Sequence, residues 1–363
     1  MKPIPLVDLA AEHATIRESL RASFDSILSS MRLALGPNVR GFEEEFATFL
    51  GARHGIGVGN GTEAILLALR ACGVGPGDEV VTTPFTFFAT TEAILHAGAK
   101  PVYAEVDPET ALLDPEDVAR RITPRTKALL PVHLFGQPVD LDPLLALGRE
   151  RRLLLVEDAA QAHGAKVRGR RVGSFGDAPA FSFYLSKNLG AYGEAGFVST
   201  NDEAIARTVR LLRDHGQTAR YEHALVGYNS RLDEFQAAVL RAKLPRLDAG
   251  NRRRREIAAL YRRLLKPPVR PLAERPDRES VHHLFVVRVP DRDAAAARLQ
   301  EEGVGFGIHY AVPSHLQPAV ANLGYRPGDF PHAEALAREV VSLPCHPFMS
   351  DEDVARVARA VQG

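Results

Sequence analysis

The order of apolar and polar positions along the chain predicts strands alternating with helices. Residues 1–50 read as an N-terminal arm and two amphipathic helices, around 12–31 and 37–50. An apolar run at 54–58 leads through Gly59-Asn60-Gly61-Thr62 into a helix over 63–72. A turn and strand follow within 75–84, and further strands are expected at 100–103, 127–133, 153–156, 178–183 and 196–200. Helical spacing covers 87–96, 141–149 and 202–215. Such alternation implies an α/β fold with a mostly parallel sheet covered on both faces. In these sheets the ligand site lies beyond the carboxyl ends of the strands. Gly61, Asp158, Ser182 and Lys187 lie at or just beyond expected strand ends, so they are the residues to watch.

A longer helical pattern covers 233–266, broken or kinked at Pro245, and links two units. After Pro267-Pro268 the pattern becomes a smaller α+β unit: strand 283–289, helix 293–302, strand 305–310. A Pro- and Gly-rich segment follows, then helices near 332–341 and 351–361. The expected division is 1–250, an arm and a large domain, and 251–363, a small C-terminal domain. The basic run Arg252–Arg255 falls within the long helix and reads as a solvated helix face.

Composition narrows this picture without redirecting it. The 363 residues are 45% hydrophobic and carry 45 basic and 45 acidic side chains, enough for a core and with no net charge. That balance gives no reason to expect nucleic acid or a membrane surface as partner, and no apolar run is long enough to span a bilayer. Cys72 and Cys345 are far apart and match no metal spacing, which suggests two buried thiols in a reducing cytoplasm.

The candidate chemistry centres on one lysine. In FSFYLSKNLGAYGEAG (181–196), Lys187 sits between an aromatic strand-like run and a small-residue loop. Desolvation there favours an amine that sheds its proton and forms a Schiff base; a snorkelling lysine at a strand end has the same local pattern. GIGVGNGTEA (55–64) lacks the spacing of a dinucleotide fingerprint. Its Gly61-Thr62 turn still offers helix-start N–H groups suited to a phosphate, or a plain threonine cap. Asp158 closes the apolar run LLLVE and needs a partner, a cationic ring nitrogen being one option and an internal salt bridge another. A Schiff-base lysine, a buried aspartate and a phosphate cradle together are what pyridoxal phosphate requires.

The chain also resembles the DegT/DnrJ/EryC1/StrS family of nucleotide-sugar aminotransferases. The resemblance runs over nearly the whole length, through IPLVDL, GPNVRGFEEEFATFLG, GNGTEAILLAL, PFTFFAT, VEDAAQAHGA, FSFYLSKNLGAYGEAGFV, GYNSRLDEFQAAVL and GIHYAVPSHLQP. It implies an aspartate aminotransferase-like (fold type I) large domain with a mostly parallel seven-stranded sheet, plus a small α+β domain. It implies pyridoxal 5'-phosphate as cofactor, with Lys187 as Schiff-base lysine, Asp158 on the pyridine nitrogen and Gln161 near the ring hydroxyl. Gly61, Thr62 and Ser182 match phosphate ligands, and Phe87 matches a ring stacked on the cofactor. Asn229 matches a residue reaching the cofactor phosphate from a neighbouring subunit, which implies a homodimer with shared active sites. Arg231 could reach substrate across the same interface, or serve a structural salt bridge.

The implied reaction is a ping-pong transamination from L-glutamate, leaving 2-oxoglutarate, to a nucleotide-linked keto sugar. The block 307–318 looks most like the branch acting on 3-keto sugars, with His309 and Tyr310 facing the sugar and His315 nearby. A dTDP-3-keto-6-deoxyhexose is the preferred substrate; a UDP-3-keto uronate and a 4-keto sugar are the alternatives. A sugar dehydratase of the same fold is disfavoured by Lys187, because its best-known members carry histidine there. A non-catalytic regulator is disfavoured because the chain has no added basic module. Two departures from the family pattern, Leu185-Ser186 and Ala195, flank the lysine without removing a reactive group.

Overall fold

The computed structural model describes residues 2–363. Seven strands build the central sheet: β1 (His54–Val58), β2 (Glu79–Thr82), β3 (Lys100–Tyr103), β4 (Thr126–Leu130), β5 (Leu154–Leu155), β6 (Ala180–Ser182) and β7 (Gly196–Thr200). β3, β2, β4 and β5 pair in parallel, and β7 lies antiparallel between β1 and β6. Asp158 joins the two groups through parallel bridges to Val132 and Ala180. The Asp158 N–H donates to Pro131 O at 2.9 Å, and the Ala180 N–H donates to Glu157 O at 2.7 Å. The result is a mostly parallel seven-stranded sheet, ordered β3-β2-β4-β5-β6-β7-β1, as expected. The carboxyl ends of β1, β2, β4, β5 and β6 therefore point to one edge.

Among the described residues twelve α-helices surround the sheet and the smaller unit: α1 (Leu9–Ser30), α2 (Pro37–Leu50), α3 (Gly61–Ala71), α4 (Ala89–His96), α5 (Pro115–Arg121) and α6 (Leu141–Arg151) come first. α7 (Glu203–Leu212), α8 (Glu234–Lys243), α9 (Leu247–Leu264), α10 (Arg292–Glu301), α11 (Pro331–Glu339) and α12 (Asp351–Gln362) complete the set. α3 starts sharply because the Asn60 side chain accepts the Glu63 N–H at 2.9 Å, a polar N-cap at the strand end. The long helical pattern does break at Pro245, where a short 3-10 turn separates α8 from α9. Proline there lacks the N–H that a continuous helix needs. None of the described helices is long and apolar enough to cross a membrane.

A second sheet pairs β8 (Arg270–Pro271), β9 (Phe285–Arg288) and β10 (Val340–Leu343), all antiparallel. It backs a second core in which Tyr261, Phe285, Leu299 and Val357 are buried. Ile4 of the N-terminal arm belongs to this second core, bridged to Val304, whereas Leu284 and Phe330 belong to the first. The boundary at 250/251 therefore stands as a proposal, because the two cores interleave along the chain.

Three sequence expectations are corrected. Residues 305–310 form no strand: only Gly307 bridges to Ser342, after which the chain turns at Tyr310. Gly305 lies so close to the arm that a Cβ there would stand 2.7 Å from Leu6 N, so this stretch is a crossing point. β10 occupies what reads as the end of a helix, its β-branched run favouring the strand. Arg254, expected on a solvated face, is buried and donates to Cys345 O at 2.8 Å. It shares a helix face with Leu247, Asn251, Ala258 and Tyr261, the 3.6-residue period overriding the charge of the run.

Candidate active site

At the carboxyl edge of the sheet lies a cleft of about 840 Å³, lined among others by Gly61, Thr62, Phe87, Asp158, Gln161, Ser182, Lys187, His309 and Tyr310. Nine of the twelve residues singled out from sequence thus meet in one place. Asp158 stands at the seam of the sheet, where its strand ends. It is buried, and its carboxylate accepts from the Thr90 hydroxyl at 2.8 Å and the Ala160 N–H at 3.1 Å. Burial raises its pKa above the ordinary carboxylate value despite these donors and the nearby Lys187. No cation pairs with it within 4.0 Å among the described residues.

Lys187 follows β6 in a turn closed by its own N–H donating to Tyr184 O at 2.8 Å. Desolvation lowers its pKa from 10.5 to about 8, with Asp158 and Glu194 pulling partly the other way. Among the described residues it too has no ion-pair partner, so a depressed amine and a raised carboxylate share one cleft unpaired. The neighbouring Glu157 points to the opposite side of its strand. Burial would raise its carboxyl, but His133 at 3.0 Å and the N–H groups of Gly173, Phe175 and Gly176 bring it below the ordinary range. Two adjacent carboxylates thus have opposite environments, one satisfied inside the fold and one open to the cleft.

The Gly61 backbone approaches Ser182 so closely that an added Cβ would lie 2.4 Å from Ser182 Cβ. Glycine is required by that contact, which sets the first turn of α3 beside the end of β6. The Gln161 Oε1 accepts from the Phe135 N–H at 2.7 Å and its Nε2 donates to the Tyr310 hydroxyl at 3.0 Å. Phe87 is 60% exposed on the cleft wall, with its ring 5.9 Å from that of Tyr310. The Phe87 ring is open to the cleft. His309 Nδ1 lies 2.8 Å from the Ser342 hydroxyl, and burial, then Lys187, lowers its pKa to about 4. It is therefore a neutral imidazole at physiological pH.

Three expected residues lie elsewhere. His315 is 2% exposed in a cage of Tyr103, Tyr325 and Phe330, with Nε2 at 3.2 Å from Glu334. It does not line the cleft. Asn229 is exposed on the loop that bridges to Asp214, and Arg231 is paired with Asp214 at 2.6 Å. Neither lines the cleft of its own chain. Cleft residues that the sequence did not disclose include Thr90, Tyr184, Glu194 and His283. Thr90 lies in the first turn of α4 with its hydroxyl 3.1 Å from that of Thr86 in the preceding loop, and nothing in the local sequence signals the carboxylate it serves.

A family model described as the DegT/DnrJ/EryC1/StrS aminotransferase family matches residues 14–362. A Streptomyces venezuelae protein named dTDP-3-amino-3,4,6-trideoxy-alpha-D-glucose transaminase is 45% identical, the match covering 99% of this chain and 95% of that protein. A Geobacillus stearothermophilus protein named pleiotropic regulatory protein is 44% identical, over 99% of this chain and 97% of its own. The crystal structure of S. venezuelae DesV in complex with a ketimine intermediate superposes with a TM-score of 0.98 at 44% identity. That match covers 100% of this chain and 98% of the other.

Proposed function

Because this chain belongs to the DegT/DnrJ/EryC1/StrS aminotransferase family, whose members are pyridoxal 5'-phosphate-dependent enzymes, we propose that it aminates a nucleotide-linked 3-keto sugar. L-Glutamate is the proposed donor, and a dTDP-3-keto-6-deoxyhexose the preferred acceptor. The observation that carries the reading is the unpaired couple in the cleft, Lys187 lowered to about 8 and Asp158 raised by burial. A buried carboxylate with no cation costs stability unless a ligand supplies one. The donor set fits the cofactor: an amine, an anion for a ring N–H, and a helix start beside a serine for a phosphate.

When bound, the cofactor supplies an aldehyde that carries the amino group and a ring that accepts electrons. In this reading Lys187 holds that aldehyde, then serves as base and acid for the proton in transit, and its depressed pKa keeps it usable near neutrality. Asp158 holds the ring N–H, itself held by Thr90. Gly61, Thr62 and Ser182 receive the phosphate through first-turn N–H groups and a hydroxyl. Gln161, fixed by Phe135 and Tyr310, lies by the ring hydroxyl, and Phe87 covers a ring face. Gly61→Ala is expected to cost about 1–3 kcal/mol by overpacking against Ser182 and to weaken cofactor retention. Thermal unfolding and absorbance titration measure both, and parent-like cofactor affinity would refute the cradle.

Asn229 and Arg231 of a second copy are proposed to complete the site in a homodimer. Support comes from the same hairpin region, where Tyr221 and Val226 are 79% and 90% exposed, an apolar surface that asks for cover. A cytoplasmic location is part of the proposal, resting on the unpaired buried thiols of Cys72 and Cys345. For the acceptor, His309 offers neutral imidazole and Tyr310 a hydroxyl, donors suited to sugar oxygens. Arg231 is already balanced by Asp214, so a uronate carboxylate would have to displace that partner. This favours a neutral hexose. The test is a panel of 3-keto, 4-keto and uronate nucleotide sugars with glutamate, read by product mass and NMR. A 3-amino neutral product is expected; a 4-amino product would overturn the regiochemistry, and preference for the uronate would overturn the acceptor class.

A further inference from the structure

Lys187 lines two cavities. The second, about 270 Å³, lies between α1, α9 and the Cys345–Phe348 turn. Its wall is strongly cationic. Lys187, Lys243, Arg246, Arg253 and Arg254 face it, against only Asp8 and Glu12. The two carboxylates are committed: Asp8 accepts from the Ala11 N–H at 2.9 Å to cap α1, and Glu12 pairs with Lys243 at 2.7 Å. Arg253 is paired with Asp351. Arg254 and Arg246 have no carboxylate within 4.0 Å among the described residues. Arg254 gives hydrogen bonds only to the carbonyls of His282 and Cys345, and Arg246 only to that of Thr15.

His346 is 5% exposed and walls the same cavity through its ring carbons, its two nitrogens being turned into the fold, towards the Pro5 backbone. The buried Arg254 guanidinium with no counter-ion beside it is an expensive arrangement. That cost falls if an oxygen-rich anion accepts from it. A 270 Å³ space holds a small metabolite and is too tight for a nucleotide sugar.

We propose that this cavity binds a small oxyanion, carboxylate or phosphate, held by Arg254 and Arg246 on the side of Lys187 away from Asp158. Such a ligand places negative charge near the reactive amine without occupying the cleft where the acceptor binds. Its occupancy adjusts Lys187 from behind. The site is independent of which sugar is aminated.

Calorimetric titration of the cofactor-loaded protein tests this, because the filled cofactor site cannot take the added phosphate. Inorganic phosphate is used in one arm and succinate in the other, each with and without saturating dTDP, which fills the cleft. The expected result is one anion per chain. If both bind they compete, and the tighter identifies the natural class. His346→Phe, whose larger ring narrows the cavity, and Arg246→Ala, which removes a donor, are each expected to weaken binding about tenfold. Cofactor absorbance and melting temperature, which report folding, are expected to stay near the parent's. Absence of binding by both anions at millimolar concentration overturns the proposal. So does displacement by dTDP, or binding that both variants leave intact.

Discussion

Lys187→Ala is expected to abolish transamination, with a fall of roughly 10³-fold or more, and to lose the visible absorbance of the covalently held cofactor. The variant should remain folded, because among the described residues the Lys187 side chain makes no ion pair or hydrogen bond, and its backbone N–H bond to Tyr184 O is kept. The cofactor-free proteins add a sharper test. A lysine lowered from 10.5 to about 8 binds fewer protons when folded than when unfolded across that window. Its penalty is complete below about pH 8 and disappears as pH rises from there towards 10.5. The size implied is about 3 kcal/mol at most, less the packing of its methylenes. Cofactor-free Lys187→Ala should therefore be more stable than the cofactor-free parent at pH 7, and the difference should shrink through that interval. Turnover at the parent rate would sink the role of Lys187. A pH-independent stability difference would show that the amine is not depressed by burial.

Local pattern made the sheet legible. Strands β1, β3 and β7 and helix α2 fall where periodicity puts them, because each is bounded by its own glycine, proline or polar cap. The residues following the strands could be named for the same reason, since the chain must turn at that edge. What sequence could not give is every fact made by distant parts of the chain. Arg254 reads as solvated until the second core closes over it. His315 reads as a ligand beside Tyr310 until Phe330 and Tyr325 enclose it. The segment 305–310 reads as a strand until the N-terminal arm crosses it. Arg231 had two readings, and the Asp214 pairing favours the structural one within a single chain. The cavity behind Lys187 draws on α1, α9 and the C-terminal turn at once, so no contiguous motif could announce it.

Asp158→Ala is the second large effect, and its two halves run in opposite directions. With cofactor, both half-reactions are expected to slow by roughly 10²- to 10⁴-fold, the cost of removing one partner from a buried charge pair. Without cofactor, the change should stabilise the protein near neutral pH. Asp158 is raised by burial, so its folded form binds more protons than the unfolded chain. For such a carboxyl the native state is favoured most below the unfolded value, and that advantage is lost as pH rises through the folded pKa. Above the unfolded value the group is therefore a net cost, which its hydrogen bonds from Thr90 and Ala160 only partly offset. Cofactor binding should accordingly stabilise the parent much more than the Asp158→Ala variant, since the parent alone gains a partner for its carboxylate. Rapid-mixing single turnovers and thermal unfolding with and without cofactor measure the two halves. Unchanged single-turnover rates would refute the electronic role of Asp158. An equal stabilisation of both proteins by cofactor would refute the ion pair, because the unpaired charge in the cleft is what the cofactor is proposed to answer.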